Sequence, residues 1–88
     1  MPYTIKFSPH AARAFRKLPR SVQGRMHGAI EPLKENPRPQ GAEMLKGSDN
    51  TYRIRVGDYR ILYEIRDQEL VVYVIETAHR REVYRRSK

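Results

Sequence analysis

The chain has 88 residues, 39% of them hydrophobic, and carries a formal net charge of +8. A sequence of this length supports one domain with a modest core, and we expect residues 1–88 to form it. The absence of cysteine excludes disulfides and thiolate metal sites and fits a reducing cytoplasm, where we expect the protein to reside. No apolar run approaches the roughly 18 residues that a membrane span needs, so no membrane contact is expected.

The first quarter of the sequence predicts a strand followed by a helix. Residues 3–7 alternate between polar and apolar side chains, which is the pattern of a half-buried strand. Ser8 and Pro9 are the residue types preferred at a helix N-cap and at the first helical position. Apolar residues then recur at helical spacing to about Leu18, which predicts a short amphipathic helix.

A second helix and a loop come next. Pro19 is suited to open this helix, and an apolar stripe at helical spacing continues to Leu33. Pro32 lies late in the stripe and predicts a kink or an early end, because proline removes a helical hydrogen bond. Only a tight turn separates the two helices, so we expect an antiparallel helical hairpin. Residues 36–41 have the composition of a loop.

The second half of the sequence predicts three consecutive strands, at about 51–57, 58–66 and 69–77. Gly57 and Asp58 form the first hairpin loop, and glycine in the first position favours a type II′ turn. The last strand is apolar on both sides, so we place it inside the sheet. The elements together predict an α+β fold in which an N-terminal strand and a helical hairpin precede a three-stranded antiparallel meander in one sheet.

The alternation of side chains separates two faces of this sheet, one of them apolar and covered by the helices. The other face carries a mixed set of residues: Arg53, Arg55, Arg60, Leu62, Tyr73 and Ile75. Pairing Val56 with Tyr59 across the hairpin brings Arg55 opposite a second arginine, Arg60. Like charges in that position destabilise a sheet, so we infer that the arginines hold an anion. The net charge of +8 favours a phosphodiester backbone.

The sequence restricts the chemistry that such a surface supports. It contains no Walker-type phosphate loop, no dinucleotide-binding motif and no metal-ligand spacing, so neither metal nor cofactor is expected. Metal-free RNA cleavage needs a base for the 2′-hydroxyl proton, an acid for the leaving 5′-oxygen and cations for the transition state. Arginine suits the last role and is a poor base. Histidine and tyrosine are therefore the candidates for proton transfer, with carboxylates in reserve.

Several segments form an ordered set along the chain. They are residues 36–39, residues 45–47, the arginine-rich segment 52–63 and residues 79–84. This set resembles the RelE-family toxins of type II toxin–antitoxin systems, and the likeness covers nearly the whole chain. The resemblance implies a RelE-like fold with a short C-terminal helical segment, and a ribosome-dependent endonuclease that cuts mRNA in the A site. It also implies a small acidic antitoxin, RelB-like or similar, in a toxin–antitoxin hetero-oligomer.

The cationic residues of the site follow from the same resemblance. Arg53 and Arg55 match two basic residues, often lysines, on the strand before the hairpin. Arg60 matches the arginine that holds the scissile phosphate in the family. Arg80 or Arg81 matches a further basic residue after the last strand. These side chains are expected to bind RNA phosphate and to stabilise the transition state.

Proton transfer is expected from other residues. Tyr84 matches a C-terminal tyrosine that takes part in proton transfer or base stacking in the family. His79 resembles a histidine that some relatives use, and histidine is the side chain best suited to exchange protons near neutral pH. Lys46, within the matching 45–47 segment, and Tyr73, on the arginine face, complete the expected RNA-binding set.

Two other functions stay open at this point. A ParE-like toxin of the same fold would inhibit DNA gyrase by binding, and it would not need the arginine, histidine and tyrosine set. A non-catalytic nucleic-acid-binding module would hold RNA or DNA with an affinity that falls as salt rises. The leading hypothesis remains the mRNA endonuclease, with the ribosome, mRNA and an acidic antitoxin as partners.

Overall fold

A computed structural model describes residues 2–79, and the elements in this range follow the predicted order. The helical part follows the first strand: β1 Thr4–Phe7, α1 Pro9–Arg16, α2 Arg20–Ile30 and a 3-10 helix Glu31–Lys34. The remaining strands are β2 Glu43–Met44, β3 Thr51–Val56, β4 Tyr59–Arg66 and β5 Val71–His79. The predicted C-terminal helical segment lies outside the described residues.

Helix α1 begins where the sequence predicts because Ser8 caps it. The Ser8 hydroxyl oxygen accepts a hydrogen bond from the Ala11 N–H at 3.0 Å, and the hydroxyl donates one to the Ile75 carbonyl at 2.9 Å. The cap therefore stabilises the first turn and also ties it to β5. The predicted early end of α2 is confirmed, since the regular helix stops at Ile30 and Pro32 lies in the 3-10 turn that follows.

All five strands belong to one sheet, in the order β1-β5-β4-β3-β2. The predicted meander of β3, β4 and β5 is antiparallel throughout, and β5 lies inside the sheet as expected. Strand β1 pairs with β5 in the parallel direction. The sequence did not predict β2, whose two residues pair with β3, because a two-residue strand is too short to show any periodicity.

The helices cover one face of the sheet and form the core with it. Helix residues Ala11, Met26 and Leu33 are fully buried, and they belong to the same apolar cluster as residues of β3, β4 and β5. Tyr63 on β4 is the largest fully buried side chain among the described residues. Burial of this cluster under the helices leaves the arginine-bearing face of the sheet uncovered by α1 and α2.

Strand β5 departs from strict alternation at one position. Tyr63 pairs with Val74, whereas its neighbour Leu62 pairs with Glu76, so Ile75 is an extra residue in the strand. After this bulge, each residue of β5 lies on the opposite face of the sheet from the one that strict alternation predicts. As a result Thr77 and His79 lie opposite Ile61 and Tyr59 of β4, on the helix side of the sheet.

The loop after α2 is held against the sheet by polar contacts. The Tyr63 hydroxyl donates a hydrogen bond to the Pro37 carbonyl at 2.7 Å, and burial raises the pKa of Tyr63 to about 12. Nearby, Asp67 accepts hydrogen bonds from Arg38 at 2.9 Å and from the Tyr3 hydroxyl at 2.6 Å. These bonds connect the loop, the β4–β5 turn and the start of the chain, and they position the segment that leads to β2.

The buried bond from Tyr63 generates a stability prediction. Tyr63→Phe keeps the ring, and we expect it to lower the free energy of unfolding by about 1–2 kcal/mol because the Pro37 carbonyl loses its donor. Urea titration followed by circular dichroism measures the loss. Tyr52→Phe is the control, since the Tyr52 hydroxyl accepts only from the exposed Arg38 side chain at 3.2 Å. Equal losses in the two variants would contradict the importance given to the buried bond.

The contacts of Asp67 generate a pH prediction. Hydrogen bonds from Arg38 and then from Tyr3 hold the pKa of Asp67 below its usual range. Because the folded state has the lower pKa, the stabilisation is present above about pH 4 and is lost as the pH falls further. We expect Asp67→Asn to lower the melting temperature at pH 7, with the difference from wild type shrinking in acid. Glu69→Gln, in the same turn, serves as the control, and a pH-independent difference would refute the assignment.

Candidate functional site

The hairpin between β3 and β4 has the predicted form. Gly57 has a φ of +61° and Asp58 does not have a positive φ, which is the pattern of a type II′ turn. Val56 pairs with Tyr59, and Arg55 lies directly opposite Arg60. A small depression of about 200 Å³ lies against these residues. The sequence therefore predicted correctly that two guanidinium groups face each other at the end of this hairpin.

Arg53 lies next to this pair on the same face of β3 and is held by a carboxylate. Its Nη2 is 2.7 Å from Oε1 of Glu43, the residue directly opposite it on β2. The Nε of Arg53 is buried and has no hydrogen-bond acceptor within residues 2–79. A buried donor without an acceptor is costly. The Arg53 side chain as a whole is 29% exposed, so a further anion can reach the guanidinium through its terminal nitrogens.

Glu43 is the functional candidate that the sequence reasoning missed. The hydrogen bond from Arg53 holds the pKa of the Glu43 carboxyl below its usual range, and the charges of Arg55 and Arg60 act in the same direction. All three arginines therefore act on one carboxylate. We call Arg53, Arg55 and Arg60 the arginine cluster. The sequence signal for Glu43 was weak because its position depends on β2, which no pattern predicted.

Two expected RNA-binding residues lie elsewhere. Tyr73 is opposite Glu64 on β4, and the Arg66 guanidinium lies 4.6 Å from the centre of its ring. Glu64 is four residues along β4 from Arg60, which corresponds to about 13 Å along the strand. Lys46 is exposed in a turn next to the start of β3, at the end remote from Arg55. The structure does not bring Tyr73 or Lys46 to the arginine cluster.

His79 is also separated from the arginine cluster. It pairs with Tyr59, and their rings meet edge to face with centroids 5.0 Å apart. Both residues line a cavity of about 550 Å³ together with His10 and Arg13 of α1. Because of the bulge in β5, His79 lies on the helix side of the sheet, whereas the arginine cluster lies on the other side. Its predicted role in proton transfer remains a prediction.

The remaining site residues proposed from the sequence are Arg80, Arg81 and Tyr84, and they lie outside the described residues. Within residues 2–79, no group of three or more histidine or acidic side chains is placed to hold a metal ion. None of the helices in that range has the length and apolar character needed to cross a membrane. The described site therefore includes three arginines on a sheet face that α1 and α2 leave uncovered, with Glu43 beside Arg53.

Comparison with known proteins gives this site its context. Residues 5–84 match the family model described as ParE toxin of type II toxin–antitoxin system, parDE. The chain is 34% identical to the toxin RelG of Mycobacterium tuberculosis over 87 residues, which cover 98% of this chain and all of that protein. It is 32% identical to the mRNA interferase toxin RelE of Escherichia coli over 88 residues, which cover 96% of this chain and 92% of the relative.

Solved structures agree with the sequence relatives. A variant of E. coli RelE in the free state superposes with a TM-score of 0.81 at 29% identity, covering 97% of this chain and 93% of that one. The toxin in an archaeal RelE–RelB complex from Pyrococcus horikoshii gives a TM-score of 0.80 at 26% identity, covering 91% and 97% of the two chains. The protein is a toxin of the type II toxin–antitoxin class, and it belongs to the RelE family within the RelE/ParE superfamily.

The pairing of Arg55 with Arg60 generates a prediction about two properties, the free energy of unfolding and the affinity for RNA. We expect Arg55→Thr to raise the free energy of unfolding by about 0.5 kcal/mol at low salt, because like charges opposite each other destabilise a sheet. The same variant should bind RNA more weakly. Thermal melts at low and high salt, with a filter-binding assay, measure both effects.

Arg53→Thr is the matched control for this experiment, because Arg53 is paired with Glu43. It should show no gain in stability, since its removal also breaks an ion pair. A gain for Arg55→Thr that persists unchanged in high salt, or a loss of stability, would contradict repulsion as the cause.

Proposed function

We propose that the protein is an mRNA endonuclease toxin that cuts translated messages in the ribosomal A site. The observation that carries the proposal is the arginine cluster, which places three permanently charged guanidinium groups on one uncovered sheet face. Guanidinium matches phosphate in shape and charge and binds it through paired hydrogen bonds. The E. coli relative at 32% identity is named an mRNA interferase, which supports the same activity here.

The arrangement suits cleavage by the RNA itself. The ribose 2′-oxygen attacks the neighbouring phosphorus, and negative charge develops on the non-bridging oxygens. Arg60 and Arg55, which face each other across the hairpin, would hold these oxygens, and Arg53 would bind through the terminal nitrogens of its partly exposed side chain. Preorganised cations of this kind stabilise the transition state more than the ground state. The chemistry requires no metal ion.

Dependence on the ribosome has a physical reason. Cleavage requires the 2′-oxygen, the phosphorus and the leaving 5′-oxygen to be in line, which a flexible message rarely achieves. Within residues 2–79, the arginine cluster lies on an open surface, and no deep pocket there imposes that geometry. A ribosome that splays and orients the codon would supply it.

We also propose an acidic antitoxin as the physiological partner. Relatives of known structure were crystallised with RelB, including the archaeal RelE–RelB complex and the intact E. coli RelBE complex. A partner with negative charge would associate rapidly with a chain of net charge +8. Covering the arginine cluster would block access of RNA, and the two chains would form a toxin–antitoxin hetero-oligomer.

Inhibition of DNA gyrase is the second candidate function, because the matching family model is described as a ParE toxin. Inhibition by binding does not call for three arginines converging around one carboxylate. Primer extension on mRNA from a cell-free translation reaction separates the two. Cuts within codons on translated messages support the endonuclease, and intact messages with impaired DNA supercoiling support the gyrase inhibitor.

Arg60 provides the mutational test of the proposed activity. We expect Arg60→Ala to slow cleavage by about 100-fold or more, because it removes a donor that stabilises the transition state. Single-turnover cleavage of ribosome-bound mRNA measures the rate. Arg66→Ala is the control, since Arg66 lies on the same strand but is engaged by Glu64 at 2.6 Å. A folded Arg60→Ala protein that cuts at the wild-type rate would refute the assignment.

A further inference from the structure

The endonuclease proposed above lacks an evident base in its described part. Arg53 and Arg55 are the basic residues of β3 on this face, and arginine does not release its proton in proteins. His79 lies on the opposite side of the sheet. A group that accepts the 2′-hydroxyl proton must be within hydrogen-bond reach of the ribose next to the bound phosphate.

Glu43 is the carboxylate that meets this requirement. It lies on β2 directly opposite Arg53, and its Oε1 is 2.7 Å from Arg53 Nη2. A phosphate bound by the Arg53 guanidinium therefore lies next to this carboxylate. In a reactive geometry the 2′-oxygen is about 3 Å from phosphorus, so it also lies close to Glu43.

The surroundings of Glu43 leave space for the sugar. A surface cavity of about 570 Å³ lies beside it, lined by residues 40–43, Ile54 and Arg55. That volume is in the range of small-ligand sites. The Glu43 side chain is 61% exposed, so a ribose can reach it without rearrangement of the core.

We propose that Glu43 is the general base of the cleavage reaction, an inference that rests on the proposed function. Arg53 holds Oε1, and Oε2 takes the proton. The bond from the 2′-oxygen to phosphorus forms while that proton passes to Glu43, and the bond from phosphorus to the 5′-oxygen breaks. The departing oxygen takes a proton from water or an acidic side chain. The products are a 2′,3′-cyclic phosphate and a 5′-hydroxyl end.

The electrostatics around Glu43 keep it in the form that a base needs. Since Arg53, and to a smaller extent Arg55 and Arg60, lower the pKa of this carboxyl, it is ionised at neutral pH. Loss of activity through protonation of Glu43 is then confined to acid conditions below its usual pKa. The proton it gains during the reaction returns to solvent, because the side chain is exposed.

Two other carboxylates on the same face are the rivals. Glu64 is 2.6 Å from Arg66 and lies toward the far end of β4. Glu76 pairs with Leu62, which lies on the same face as Arg60 and two residues further along β4. Glu64→Gln is the matched control, because it also removes the negative charge from an ion pair with an arginine on this face. Glu76→Gln tests the rival base.

The experiment measures single-turnover cleavage of ribosome-bound mRNA by the full-length protein and its variants. Glu43→Gln keeps the size and hydrogen bond of the side chain and removes its basicity. We expect its cleavage rate to fall by about 100-fold or more. Binding to ribosomes loaded with a message that has a 2′-deoxy nucleotide at the cleavage site should be unchanged. Glu43→Asp should retain part of the rate and the acid limb of the pH profile, which Glu43→Gln should lose.

Each alternative outcome overturns the inference in a distinguishable way. A faster rate and tighter binding in Glu43→Gln would make Glu43 a competitor of phosphate. Parallel losses of rate, binding and melting temperature would make it structural. Normal cleavage by Glu43→Gln with none by Arg60→Ala would leave the endonuclease intact and place the base elsewhere, as would a selective loss in Glu76→Gln. Wild-type protein that cuts no message would overturn both proposals.

Discussion

Burial of one face of β4 under the helices determines which face of the sheet carries Arg60. Ile61, Tyr63 and Ile65 are fully buried on that face, and the period of two along a strand directs their neighbours to the opposite side. Arg60 is therefore placed on the open face by the core itself. A one-residue slip of β4 would bury a guanidinium and expose the core, which makes the register strongly specified.

The same arrangement has a cost in stability. Arg55 and Arg60 lie directly opposite each other in the ladder, and Arg53 has a buried donor without an acceptor among the described residues. Neither feature is what a sheet selected for stability alone would contain. The repulsion between Arg55 and Arg60 is reduced when an anion binds to them. A phosphate or an acidic partner bound at the arginine cluster would therefore raise the free energy of unfolding.

The sequence predicted those parts of the fold that local patterns determine. The cap at Ser8, the early end of α2 near Pro32 and the turn at Gly57 each depend on the chemistry of one or two residues, and all were found as expected. The pairing of Arg55 with Arg60 followed because a two-residue turn sets the register of its strands.

Two features could not be predicted because they depend on contacts between distant segments. Strand β2 is too short to have a pattern, so Glu43 was not recognised beside Arg53. The bulge at Ile75 exchanges the two sides of β5, and strict alternation would have placed His79 on the arginine face. A single extra residue in a strand leaves no clear trace in hydrophobic periodicity. Both features change the candidate site more than they change the fold.

The composition of the arginine cluster determines which conditions can change its binding of phosphate. Guanidinium groups keep their charge throughout the physiological pH range, so a change of pH within that range would not weaken phosphate binding by the arginine cluster. No disulfide can close over the cluster either, because the chain has no cysteine. Neither a change of pH in that range nor formation of a disulfide within the chain therefore controls phosphate binding at the arginine cluster. If an acidic partner covers the three arginines as proposed, activity would depend on the number of copies of this chain relative to that partner.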